Sequence, residues 1–158
     1  MTANRRHILF ICTGNVCRSP MAEYLLRHHL GSNSTWQVGS AGLAALNGFR
    51  ASQPAIEVLH EKGLDLAPHR SRNVTKEMID LATLIVVMTA SHALELKQRF
   101  PEAQDRIYLL KSFDPSSRGG DVQDPIGSDV DTYRQIRDEI DSALLDLILY
   151  LKQHLSRH

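Results

Sequence analysis

The chain has 158 residues, 42% hydrophobic and 23% charged, which is enough for a single domain over 1–158 with one substantial core. Lysine plus arginine and aspartate plus glutamate number 18 each, so a formal charge of zero gives nucleic acid or an anionic membrane no general hold on the molecule. Two cysteines exclude a disulfide scaffold and suit a reducing compartment, where a reactive thiol survives.

Residues 1–6 read as a flexible tail. Arg5 and Arg6 before an apolar stretch superficially resemble a signal peptide, but Ile8 to Cys12 is too short for one and runs straight into Gly14-Asn15. No segment approaches the ~20 apolar residues that span a bilayer, so a soluble, cytoplasmic protein is expected. His7 to Cys12 is the first strand, and a helix follows from Cys17 or Ser19 to Leu30, with Met21, Tyr24, Leu25 and His28 at helical spacing. Trp36 to Ser40 reads as a second, short strand beside which Trp36 packs, and Ala41 to Ser52 as a loop. The next helix sets Ala55, Ile56, Val58 and Leu59 toward the core, with Gly63 just past its end.

Thr75 suits the cap of a short helix through Leu81. Leu84-Ile85-Val86-Val87-Met88 lacks alternation, as expected of a central strand covered on both faces. Thr89 or Ser91 caps a helix reaching Phe100 before Pro101, and Ile107 to Leu110 is a fourth strand. The last helix starts near Ser128 or Asp129 and places Val130, Tyr133, Ile136, Ile140, Leu144, Leu147 and Leu151 on one face. Strands alternating with helices predict an α/β domain: a three-layer, doubly wound, flavodoxin-like sheet of four parallel strands. Such sheets bind ligands at the carboxyl ends of their strands, and the segment after Cys12 lies at one of them.

That segment, Cys12-Thr13-Gly14-Asn15-Val16-Cys17-Arg18-Ser19-Pro20, is the most informative in the chain. Gly14 and Asn15 tolerate the positive φ of a tight curl, which turns successive N–H groups inward as an anion nest. Ser19 suits an N-cap and Pro20 the first helical turn, so the helix aims its positive end at the same centre. A thiol in such surroundings ionises below the free value of about 8.5 and becomes a nucleophile at neutral pH. The planar fork of Arg18 matches two phosphoryl oxygens better than a lysine could.

A leaving group needs a proton, and Asp114, Asp121, Asp124, Asp129 and Asp131 crowd the later part of the chain. Asp129 and Asp131 suit a helix start. Asp124 stands out because Pro125 biases it toward extended backbone while Gly127 lets the chain turn away; Asp121 is the reserve. The Cys12-x4-Cys17 pair has no second ligand cluster at zinc-like spacing, so no metal or other cofactor is expected. Cys17 is open to reading as a packed small residue or as a redox partner of Cys12. His69 reads by itself as an ordinary exposed histidine, and the other histidines give no separable signal.

On Cys12 to Ser19, Ser40-Ala41-Gly42, Met88 and Asp124-Pro125, nearly the whole chain resembles the low-molecular-weight protein tyrosine phosphatases. The resemblance implies hydrolysis of phosphorylated proteins through a phosphocysteine on Cys12, with Thr13 to Arg18 as the phosphate loop and phosphate or vanadate as inhibitors. It implies Asp124 as general acid, Ser19 steadying the thiolate, His69 buttressing Asn15, and a Cys12–Cys17 disulfide under oxidation. Val16, Leu46 and Ile126 would line the substrate pocket. Ile126 and Leu46 stand where tyrosine-directed members often carry aromatics, and residues 120–127 look more like bacterial members, some of which act on phosphoarginine. At Val16, tyrosine-directed members carry a bulky aliphatic and arginine-directed ones a threonine, which favours phosphotyrosine with phosphoarginine as the alternative.

Arsenate reduction needs further cysteines, and none follows Cys17. A phosphoryl carrier would hold a stable phosphocysteine without an arginine clamp and Asp-Pro acid, and a silent phosphate-binding module would not need both Cys12 and Asp124. The Walker lysine of a nucleotide P-loop is missing.

Overall fold

Alternate residues of the first strand enter different layers, and this sets the architecture. The computed structural model describes residues 6–114, 116 and 119–155. Strand β1 (Arg6–Cys12) directs Ile8 and Phe10 into one core and Leu9 and Ile11 into another. The first core is closed by α1 (Arg18–Leu30), α2 (Gln53–His60) and α5 (Val130–Tyr150). The second lies under α3 (Lys76–Leu81) and α4 (Ala90–Arg99). Each fully buried isoleucine or leucine in these layers contributes about 1.5–3 kcal/mol. No helix among the described residues is long and apolar enough to cross a membrane.

The four strands are all parallel, in the order β2-β1-β3-β4, with β2 at Trp36–Gly42, β3 at Leu84–Val87 and β4 at Ile107–Leu109. All four residues of β3 are buried, as its unbroken apolar run predicts. The chain reverses its direction of winding between β1 and β3, so the loops that leave their carboxyl ends diverge there and open a crevice. The fold is the predicted α/β, doubly wound sheet.

Several boundaries differ from those expected. Arg6 opens β1, paired with Trp36 and with its guanidinium 5.5 Å from the indole centre, so only residues 1–5 of the expected tail lie outside the described residues. Strand β2 continues through Gly42, because Ala41 and Gly42 stay in register with Ile11 and Cys12. Gly42 reads as loop from sequence, but its role is clearance. A Cβ there would lie 2.5 Å from the Thr13 carbonyl oxygen and 3.1 Å from the Asn15 amide.

Strand β3 stops one residue before Met88, and Leu110 passes into a 3-10 turn (Leu110–Phe113) rather than β4. Thr89, not Ser91, caps α4 by accepting from the His92 amide, and Asp129, not Ser128, caps α5 by accepting from that of Thr132. Ser19 is not a cap. It lies inside α1, and its hydroxyl is taken up by side chains of the preceding loop.

Candidate active site

Residues 13–17 join β1 to α1 at the crevice, and their carbonyls are engaged from outside. Leu43 and Ala44 amides donate to the Cys12 and Thr13 carbonyls at 2.9 and 3.0 Å, and the Ser52 amide donates to that of Val16 at 2.9 Å. His69 Nε2 donates to the Asn15 carbonyl at 2.8 Å. In trans peptides the N–H points opposite the C=O, so outward-facing carbonyls leave the amides on the inner side of the curl. Asn15 makes the bend with φ of 59°, a left-handed value that asparagine tolerates. Gly14 keeps a negative φ, contrary to expectation; Asn15 alone absorbs the strain in this loop.

Asn15 is fully buried and its amide group fixes the loop. Its Oδ1 accepts from the Arg72 amide at 3.0 Å, while Nδ2 donates to Ser19 Oγ and Ser40 Oγ, each at 2.9 Å. Ser40 in turn donates to Glu23 Oε1 at 2.6 Å. The direction of this chain is forced. An ionised carboxylate only accepts, so Ser40 must spend its proton on Glu23 and take one from Asn15. Asn15 also supplies a proton to Ser19, whose own O–H is then free for Cys12 Sγ at 2.9 Å. Ser19 therefore donates to sulfur, the direction that stabilises a thiolate.

Arg18 is 4% exposed in the first turn of α1. Its Nη1 donates to the Val122 carbonyl at 3.0 Å, and its Nη2 lies 3.6 Å from Asp124 Oδ2. Its Nε is buried without an acceptor among the described residues. Val122 is anchored by its own amide to the Met88 carbonyl, so the end of β3 positions the segment carrying Asp124. Asp124 accepts from the Ile126 amide at 3.0 Å, and Gly127, at φ 79°, turns the chain away as its position after Pro125 suggests.

Cys12, Thr13, Gly14, Val16, Cys17, Arg18, Asp124 and Ile126 line one cleft of about 170 Å³. Leu46 is not among these lining residues. Ser71 ties its loop at the Leu46 carbonyl and the Phe49 amide, leaving the Leu46 side chain 67% exposed. Of the other aspartates, Asp121 accepts from the Ala90 amide at the start of α4, and Asp114 accepts from the Ser116 amide. Asp129 caps α5, with hydrogen bonds from Thr132 holding its carboxyl below the usual range, and Asp131 pairs with Arg134.

Cys17 is buried against Ser52 and Tyr133, with Sγ 3.3 and 3.2 Å from their hydroxyls. Burial pushes its thiol up, and burial likewise lifts the Tyr133 phenol to about 12. His69 is buried, not an exposed histidine. Sequence reasoning missed Glu23, Arg72, Val122 and Tyr133, and also His92, whose Nε2 lies 2.9 Å from Thr13 Oγ1. Only Glu23 left a local trace, four residues after Ser19 on the inner face of α1.

Residues 7–157 match the family model described as low molecular weight phosphotyrosine protein phosphatase. The chain belongs to this family.

Among its relatives, a protein-arginine-phosphatase of Geobacillus stearothermophilus is 45% identical over 87% of this chain and 90% of its own. A low molecular weight protein tyrosine phosphatase from T. tengcongensis superimposes with a TM-score of 0.88 at 36% identity, covering 92% of this chain and 99% of its own. A mutant arginine phosphatase carrying a phosphorylated active-site serine superimposes with a TM-score of 0.86 at 37% identity, covering 94% and 97%. This low molecular weight phosphatase is thus a hydrolase of the cysteine-nucleophile class, with its phosphate loop directly after the first strand.

Proposed function

We propose that the protein removes phosphoryl groups from tyrosine side chains of other proteins. Cys12 attacks phosphorus while Arg18 and the loop amides hold the equatorial oxygens, and Asp124 protonates the departing phenolate. The sulfur–phosphorus bond is then broken by water, from which Asp124, now the base, takes a proton. The products are tyrosine, inorganic phosphate and the restored thiolate. Inorganic phosphate and vanadate occupy the same cradle and act as competitive inhibitors.

The observation that carries the tyrosine assignment is the apolar flank of the cleft, formed by Val16 and Ile126 beside the thiol. An aromatic ring loses water favourably against such a flank, whereas a guanidinium needs acceptors or a hydroxyl that valine does not offer. A second reading, phosphoarginine, is favoured by the 45% identity to an enzyme of that activity. Parallel assays on phosphotyrosine, phosphoarginine and phosphoserine peptides test the choice. A higher kcat/KM for phosphotyrosine is expected, and a preference for phosphoarginine would overturn the substrate while leaving the mechanism in place.

A further inference from the structure

His92 sits in the first turn of α4, within hydrogen-bond reach of Thr13 in the phosphate loop, and is 7% exposed. One ring nitrogen, Nε2, is 2.9 Å from Thr13 Oγ1, and the other, Nδ1, is buried without a partner among the described residues. Thr13 follows the nucleophile directly and lines the cleft with it. Nothing in the chemistry above uses either side chain.

The orphaned nitrogen decides the tautomer. A buried N–H with no acceptor wastes a strong donor and is rare in folded proteins, whereas an unused lone pair is tolerated more readily. The hydrogen therefore belongs on Nε2, which donates to Thr13 Oγ1. The Thr13 hydroxyl, accepting from histidine, then keeps its own proton for another acceptor, and its exposed side lies at the cleft.

We propose that His92 is a positioning residue that holds Thr13 as an additional hydrogen-bond donor to the bound phosphoryl group. The proposal rests on the phosphatase reading of the cleft and adds one side-chain donor to a cradle otherwise made of backbone and Arg18. It requires a neutral imidazole. A second proton would have to sit on buried Nδ1, and the charges facing the ring are Arg18 on α1, Glu95 on its own helix, and Asp121 and Asp124 on the loop before α5. Burial first, and then Arg18, hold the imidazole down to about 4, so the device stays intact across the neutral range.

Three measurements on the full chain test this. Nitrogen-15 NMR of the histidine rings should show His92 as the Nε2–H tautomer, unchanged between pH 8 and about 5; an Nδ1–H tautomer overturns the proposal. Thr13→Val and His92→Leu should each weaken inorganic phosphate binding and lower kcat/KM by about 10- to 100-fold, and the double variant should lose no more than either alone. His92→Gln, whose amide nitrogen falls near the imidazole Nε2, should recover most of the loss. Additive losses, or a lower melting temperature with unchanged phosphate affinity, overturn it. If His92→Leu fails to fold, Thr13→Val and His92→Gln still decide. A wild type that binds phosphate but hydrolyses no phosphopeptide would sink the proposed function, and the phosphate affinities would still judge the His92–Thr13 pair.

Discussion

Asp124 Oδ2 stands 3.6 Å from Arg18 Nη2, and the same guanidinium is held through Nη1 by the carbonyl of Val122, two residues before that aspartate. The anion-gripping cation and the carboxylate proposed as proton donor are thus braced by one short segment, itself fastened to the end of β3. Asp124→Ala should lower kcat by about 10² to 10⁴-fold on substrates with poor leaving groups, and by less on activated aryl phosphates. A series of aryl phosphates gives the dependence on leaving-group basicity, which should steepen in the variant. Asp121→Ala should cost mainly thermal stability, since its carboxylate accepts from the Ala90 amide in the first turn of α4. A larger kinetic effect at Asp121 would mean that the wrong carboxylate has been chosen.

Cys12→Ser should abolish turnover while phosphate and vanadate still bind, because the cradle is made by backbone amides and Arg18. Calorimetric titration with phosphate checks this. Arg18→Lys should weaken that binding, since an ammonium cannot keep both the Val122 carbonyl and a forked grip on two oxygens. A Cys12→Ser variant that still turns over would sink the nucleophile assignment.

Mild peroxide should inactivate the enzyme reversibly. Burial favours the protonated form of Cys17, so Cys12 is oxidised first, to a sulfenic acid. The Cys17 thiol then condenses with it, releasing water and forming a disulfide that added thiols reduce. Peptide mass spectrometry reads the product, and Cys17→Ser should turn reversible loss into irreversible loss. Sulfinic acid on Cys12 in the wild type would leave Cys17 as a packing residue beside Tyr133 and Ser52.

Val16→Thr should move the ratio of kcat/KM values toward phosphoarginine peptides. Valine and threonine have nearly the same shape, so the loop is undisturbed and only a hydroxyl is added to the cleft wall. An unchanged ratio would show that discrimination lies outside the loop, Ile126 being the next residue to vary.

Acid should destabilise the fold through His92. In the unfolded chain its imidazole binds a proton near pH 6.5, whereas the folded one resists protonation down to about 4. Between these values the unfolded state holds more protons, so stability falls as pH drops through the window, by at most about tenfold in the folding constant per pH unit. Urea titrations at a series of pH values, compared with His92→Gln, isolate this contribution. An equal slope in the variant would assign the acid sensitivity to other groups.

Much of this was legible in the chain. The unbroken apolar run at 84–88 gave the central strand, the thiol, arginine and Asp-Pro segments gave the cleft, and Thr75 marked a cap that forms as expected. What stayed hidden depends on residues far apart in sequence. The Arg72 amide meets Asn15 Oδ1 across 57 positions, and Tyr133 meets Cys17 across 116. No local pattern announces such pairs. Ser19 misled for a related reason: serine before proline at a helix start suits a cap, but the nearby thiol and Asn15 compete for the same hydroxyl and win. Leu46 is not among the residues lining the cleft, and the Ser71 hydroxyl, 25 residues later, holds its carbonyl.

The clamps on the loop carbonyls come from three separate stretches of chain: 43–44, Ser52 and His69. Freeing any one peptide of the loop means detaching a neighbour that also closes the sheet or its helices. The site therefore has no private route to melting. Heat or denaturant should extinguish catalysis and dismantle the domain in one cooperative event, and a sub-population that is folded but inactive should not accumulate along the way.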